Sequence, residues 1–271
     1  MDVKDVVVVN GTKLYYEMKG AGSSVLFIAG ATGDAGHFAK VTDLLSDEFT
    51  VVTYDRRGNS RSPRPAGWTQ TSVPEQAADA TELITALQLA PVAVFATSGG
   101  GRIGLELMIR SPQLLRGVIL HEPTLLPVLS HPEQVMGPLQ AAKQKGIQAK
   151  GPQGGVEAFI RYVAGDATFE AIPPQTLERM LNNAETVFTI EESGEFASWR
   201  PTEEALARVN VPVALLVGRE SPAFFGEIAN WLEPRLKVQA VKIPGGHASY
   251  FDHAPELAAA LRPIFKRLSA R

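Results

Sequence analysis

Residues 92 to 109 leave the backbone few choices. Val92-Ala93-Val94-Phe95-Ala96-Thr97 is an apolar run of strand length. One hydroxyl residue, Ser98, and three glycines follow it. After Arg102, Ile103-Gly104-Leu105-Glu106-Leu107-Met108-Ile109 reads as a helix. A strand that turns at once into a helix passes through strained backbone, and only small neighbours fit around the turn. Its serine is held at the strand tip beside the helix N-terminal N–H groups. Here the small flanking residues are Ala96 and Gly100, a small-x-Ser-x-Gly pattern. A Gly-rich phosphate loop is the competing reading, but Gly99-Gly100-Gly101 lacks that motif's spacing and lysine.

The segments around this turn alternate between strand and helix. Val6–Asn10, the Asn10-Gly11 pair and Thr12–Glu17 spell a β-hairpin. Ser24–Ile28 and Phe49–Tyr54 read as strands, with a helical segment to about Ser46 between them. Pro74–Leu89 carries Ala77, Ala80, Leu83, Ile84 and Leu87 at helical spacing. Gly117–Leu120, Val211–Val217 and Val238–Ile243 are further strands; Ala223–Leu232 and Pro255–Leu268 are helical. This alternation predicts an α/β protein, a mostly parallel sheet with helices on both faces. A chain of 271 residues is long enough for one such domain carrying an insertion.

The insertion is residues 124–207, where no strand pattern occurs. It carries helical patches at Val156–Val163 and Thr176–Phe188, and the large apolar residues Phe159, Tyr162, Phe169, Met180, Phe188, Phe196 and Trp199. Placed between two sheet strands, it is expected to form a helical cap over their carboxyl ends. Residues 1–123 and 208–271 then form the core domain. Substitutions at Phe188 or Trp199 are expected to alter substrate range.

Composition excludes several classes of function. The 26 basic and 29 acidic residues give a net charge of −3, with no basic cluster to hold nucleic acid. The absence of cysteine removes disulfides, thiolate nucleophiles and thiolate metal sites. The charged N-terminus lacks a secretory apolar region, and no run is long enough to span a membrane. A soluble cytoplasmic protein is expected, with no nucleic-acid or membrane partner. Neither a metal cluster nor a dinucleotide fingerprint is present, so no cofactor and no metal are expected.

Four landmarks in this order resemble the α/β-hydrolase family over nearly the whole chain outside the insertion. Ile28-Ala29-Gly30-Ala31 resembles the family's turn after the third strand. Asp55-Arg56-Arg57-Gly58-Asn59-Ser60-Arg61-Ser62 resembles its D-x-R-G-x-G-x-S turn, with Ser60 replacing the second glycine. The turn at Ser98 resembles its nucleophile elbow, with Ala96 replacing the first glycine. Pro244-Gly245-Gly246-His247 resembles the loop that presents its histidine.

The resemblance implies a serine nucleophile at Ser98, a base at His247 and an oxyanion hole from the N–H groups of Ala31 and Gly99. The chemistry suits those types: a serine hydroxyl needs a base, and imidazole titrates near neutral pH. Of the other four histidines, His37 and His131 fall in surface-type segments and His253 just beyond the His247 loop. His121 stands beside the candidate acid. Most relatives carry that acid as Asp after the seventh strand, where this chain has Arg219-Glu220-Ser221. Another branch, to which zearalenone lactone hydrolase belongs, places it after the sixth, where Leu120-His121-Glu122-Pro123 stands here. Glu122 is the first candidate and Glu220 the alternative. The implied activity is hydrolysis of a small-molecule carboxylic ester or lactone through an acyl-enzyme. A hydrolase-like receptor with little turnover and a C–C hydrolase or lyase on the same fold are the alternatives.

Overall fold

The computed structural model describes residues 2–192 and 194–270. Eight strands form one sheet: β1 (Asp2–Val9), β2 (Thr12–Lys19), β3 (Ser23–Ile28), β4 (Phe49–Tyr54), β5 (Val92–Thr97), β6 (Leu115–His121), β7 (Val213–Gly218) and β8 (Ala240–Ile243). Their order across the sheet is β1-β2-β4-β3-β5-β6-β7-β8. The hairpin strands run antiparallel and the other six are parallel. The α/β architecture read from the sequence is therefore the observed one.

Between β3 and β4 lies α1 (Ala39–Leu45), entered through a short 3-10 turn at Ala35–Phe38. Next come α2 (Val73–Ala86) before β5 and α3 (Gly99–Arg110) directly after it. Between β6 and β7 the described residues form helices and loops only. These are α4 (Glu133–Ala164), α5 (Asp166–Glu170), α6 (Pro174–Asn182), a π-helical turn at Thr186–Glu191, α7 (Glu195–Ser198) and α8 (Glu203–Ala207). α4 is two arms joined by a kink at Lys150 and Gly151, which leave helical φ/ψ just before Pro152. The chain ends with α9 (Ala223–Leu236), α10 (Ser249–Asp252) and α11 (Ala254–Ser269). No helix among the described residues is long and apolar enough to cross a membrane.

The central strands are apolar at successive positions because both faces are covered. On β5, Val92, Val94 and Ala96 pack with α2 and α3, while Ala93 and Phe95 pack with α1 and α11. All five are fully buried, and each large apolar side chain so enclosed contributes about 1.5–3 kcal/mol. The same packing explains the departure at Ala96. A Cβ on Gly104 would come within 2.7 Å of the Ala96 methyl, so the glycine on α3 supplies the space that the methyl group fills.

Candidate active site

The turn between β5 and α3 puts Ser98 at φ 55° and ψ −127°. Left-handed backbone at a non-glycine residue costs about 1–3 kcal/mol and persists only where its surroundings impose it. Here the Ser98 N–H donates to His121 O (3.1 Å), and Ser98 O accepts from Gly101 N (2.9 Å) and Thr124 N (3.1 Å). The loop after β3 presses on the other side. A Cβ on Gly30 would lie 2.6 Å from Ser98 Cβ, so only glycine fits. This contact brings Ala31 against the start of α3: its nitrogen lies 3.5 Å from where a Gly99 Cβ would be. Among the described residues, neither the Ala31 nor the Gly99 N–H donates a hydrogen bond. Two free donors thus stand beside the serine.

Glu122 follows β6 directly, also with positive φ (47°). Its carboxylate is fully committed: Oε1 accepts from Gly218 N (2.7 Å) and Oε2 pairs with His247 Nδ1 (2.6 Å). Burial alone would raise its pKa. The hydrogen bond from His247 is the largest opposing influence, and with the neighbouring His121 it holds the carboxyl at about 2. Glu220, the alternative acid, is exposed and makes no hydrogen bond to His247.

His247 is itself only 4% exposed. The Phe225 ring stacks on it at 4.2 Å and 13°, and the His121 ring lies nearly parallel at 6.2 Å. His121 is fully enclosed, with Nδ1 against Thr97 Oγ1 (3.0 Å), and burial pushes its pKa down to about 4. It is a neutral neighbour of the Glu122–His247 pair.

Of the remaining histidines, His131 is exposed and His253 pairs with Asp252 (2.9 Å) at the edge of the loop. His37 is not a surface residue as its segment suggested. It is 3% exposed, caps Asp34 through the Asp34 N–H (3.2 Å) and packs on Phe251. Arg56 and Arg57 hold the framework. Arg56 joins Gly30 O (2.9 Å) to Glu191 on the π-helical turn (2.5 Å), and Arg57 pairs with Asp79.

Ser98, His247, Ala31 and Gly99 line one cavity of about 400 Å³. Its far wall comes from the segment between β6 and β7, chiefly Leu126, Val135, Met136, Leu139, Phe159 and Tyr162. Phe196 also faces the cavity, whereas Phe188 and Trp199 do not. Phe188 packs instead against Phe159 and the Lys143 ammonium, and Trp199 against the main core. This overturns the expectation for those two aromatics: a helical pattern identifies an apolar side chain but not which neighbour it meets.

Two residues at the site had no signal in the sequence. Thr124 Oγ1 hydrogen-bonds Ser98 Oγ (3.2 Å). Arg102, one turn along α3, donates to the carbonyls of Thr124 and Phe196. Among the described residues no group of three or more His, Asp or Glu side chains is arranged to hold a metal ion.

The comparisons with known proteins agree with this architecture. A hydrolase of Bacillus subtilis, YraK, itself uncharacterized, is 30% identical over 269 residues, covering 96% of this chain and 94% of its own. A thermophilic esterase of Thermogutta terrifontis superposes with a TM-score of 0.74 at 21% identity, with 99% of both chains covered. The N-acyl homoserine lactonase AidH superposes with a TM-score of 0.76 at 19% identity over 98% of both chains. Residues 25–260 match the alpha/beta hydrolase family as a whole. With that match joined to the strand order and the turn at Ser98, the chain belongs to the alpha/beta hydrolase family.

Proposed function

We propose that this protein is a serine hydrolase that cleaves carboxylic esters or lactones through an acyl-enzyme. The observation that carries the reading is the Glu122–His247 pair at 2.6 Å, opening on the same cavity as Ser98. With Glu122 ionised, Nδ1 of His247 keeps its proton and Nε2 is left as a base. The Ser98 hydroxyl, which rests against Thr124, turns to Nε2 when substrate enters; such hydrogen bonds commonly tighten only in the loaded enzyme.

Ser98 Oγ then attacks the carbonyl carbon and its proton passes to Nε2. The negative charge on the carbonyl oxygen is received by the N–H groups of Ala31 and Gly99. Collapse expels the alcohol, which takes the proton from His247. Water repeats the sequence on the acyl-enzyme and releases the acid and free Ser98. Residues 124–207 act as a cap over the core formed by 1–123 and 208–271, and their apolar wall selects the substrate. Support comes from the esterase and lactonase among the structures that superpose on the chain.

A panel of simple esters and lactones, with the released acid and alcohol identified by mass spectrometry, tests the reading. Hydrolysis of at least one compound, abolished in Ser98→Ala, is expected. Turnover near wild type in pure Ser98→Ala would refute it.

A further inference from the structure

The buried cation in the cavity wall is not used by the chemistry above. Arg102 is 6% exposed and lines the cavity that holds Ser98. Its Nε donates to Thr124 O and Nη1 to Phe196 O, both neutral carbonyls. Among the described residues it forms no ion pair and Nη2 forms no hydrogen bond; its other contact is the Phe196 ring, whose centroid lies 5.5 Å from the guanidinium carbon. Glu191 and Glu192 on the cavity wall attract it from a distance. Each is already hydrogen-bonded to another cation, Glu191 to Arg56 and Glu192 to Lys143. Two carboxylates therefore serve three cations, Arg56, Lys143 and Arg102. Burial draws the Arg102 pKa down to about 10, so the guanidinium still carries its charge at neutral pH.

A strut between two carbonyls needs donors, not a charge. A ring face and distant carboxylates compensate a buried guanidinium only in part, and such groups are normally paired with an anion in contact. The position of the free donors says where a partner would sit. Thr124 contacts Arg102 through its carbonyl and Ser98 through its hydroxyl, so one residue separates the guanidinium from the nucleophile.

We propose that the substrate carries a carboxylate a few bonds from its scissile carbonyl, and that Arg102 receives it. This deepens the hydrolase reading and rests on it. The rest of the substrate is apolar, to match Leu126, Val135, Met136, Leu139 and Phe159. Arg102 is then a specificity residue that binds a part of the substrate distant from the bond being broken.

The test compares para-nitrophenyl hydrogen succinate with para-nitrophenyl isocaproate, whose branched end has the carboxylate's shape without its charge. Charge-assisted hydrogen bonds predict a wild-type kcat/KM preference for the succinate of about tenfold or more. The preference should reside mainly in KM and shrink as salt is added. Arg102→Met should lose at least tenfold more on the succinate than on the isocaproate, with Arg102→Lys between them. A wild type that prefers the isocaproate overturns the proposal without reference to any variant. Equal losses on both esters in a folded Arg102→Met protein also overturn it, since a strut would act on both alike.

Binding separates this claim from the chemistry. Calorimetry on Ser98→Ala protein should detect monomethyl succinate more tightly than methyl isocaproate, and Arg102→Met in that background should erase the difference. No difference overturns the proposal even if ester turnover is found. A difference in a protein that turns over no ester upholds the anion site and counts against the hydrolase reading alone.

Discussion

Replacing Glu122 by Gln removes one charge and changes few atoms, and the structure dictates how the amide must lie. The carboxylate serves two donors, Gly218 N–H at 2.7 Å and His247 at 2.6 Å. A glutamine has one oxygen for the two. If its oxygen faces His247, its NH₂ confronts the Gly218 N–H, and buried donors without acceptors cost about 1–3 kcal/mol each. If its oxygen faces Gly218, its NH₂ donates to His247 Nδ1. Both hydrogen bonds then survive, but the imidazole proton moves to Nε2 and the base is lost. The second orientation is the lower in energy.

Glu122→Gln should therefore fold and bind substrate while kcat falls about 10³–10⁴-fold, equivalent to about 4–5.5 kcal/mol in the barrier. Its acid stability should change in a defined window. The wild-type carboxyl sits at about 2 against an ordinary 4.5, so its contribution is complete above pH 4.5 and is lost as pH falls toward 2. Glu122→Gln lacks that loss. Steady-state kinetics and urea titrations between pH 2 and 7 read both effects. Glu220→Gln, at an exposed position, should alter kcat less than twofold. A Glu122→Gln enzyme within tenfold of wild type, or a larger loss from Glu220→Gln, would refute the reasoning.

Three other substitutions give independent readings. His121 sits at about 4 in the fold against an ordinary 6.5, so the unfolded chain takes up its proton first as pH falls. Stability should drop by about 3 kcal/mol between pH 6.5 and 4, and His121→Asn, which can keep the Thr97 partner, should flatten that slope in urea titrations. An unchanged slope would assign the loss elsewhere. Phe159→Ala should shift relative kcat/KM toward longer acyl chains by several-fold because Phe159 walls the cavity, while Trp199→Leu should leave the ranking of esters as it is. The opposite pattern would mean that the cavity is not the acyl site.

What the sequence disclosed was what local rules enforce. Strands covered on both faces must be apolar where they are enclosed, so β5 and the inner stretches Val25–Ile28 of β3 and Val118–Leu120 of β6 stand out as apolar runs. The strained turn at Ser98 tolerates only small neighbours, and the glycines announce it. The residues that escaped notice are fixed by distant partners. His37 is buried because Tyr250 and Phe251 fold over it from the far end of the chain. Arg102 reads as one more helical residue until the carbonyl of Phe196, 94 positions away, closes on it. Thr124 gains its place only when β5 and β6 lie side by side, which brings the loop after one to the serine after the other. Between β6 and β7 the helical spacing was legible, but the choice among cavity, core and solvent was not. That choice depends on how α4 bends at Gly151 and on which face the π-helical turn presents.

Covalent capture of the acyl group is the most direct test of the central claim. The purified protein is mixed with an activated ester, quenched in acid within milliseconds to seconds, and analysed intact and after proteolysis. A mass increase of one acyl group, carried by the peptide containing Ser98, is expected. The adduct is expected to be absent from Ser98→Ala. Turnover of the ester with no adduct at any quench time, or an acyl group carried by another residue, would contradict the claim.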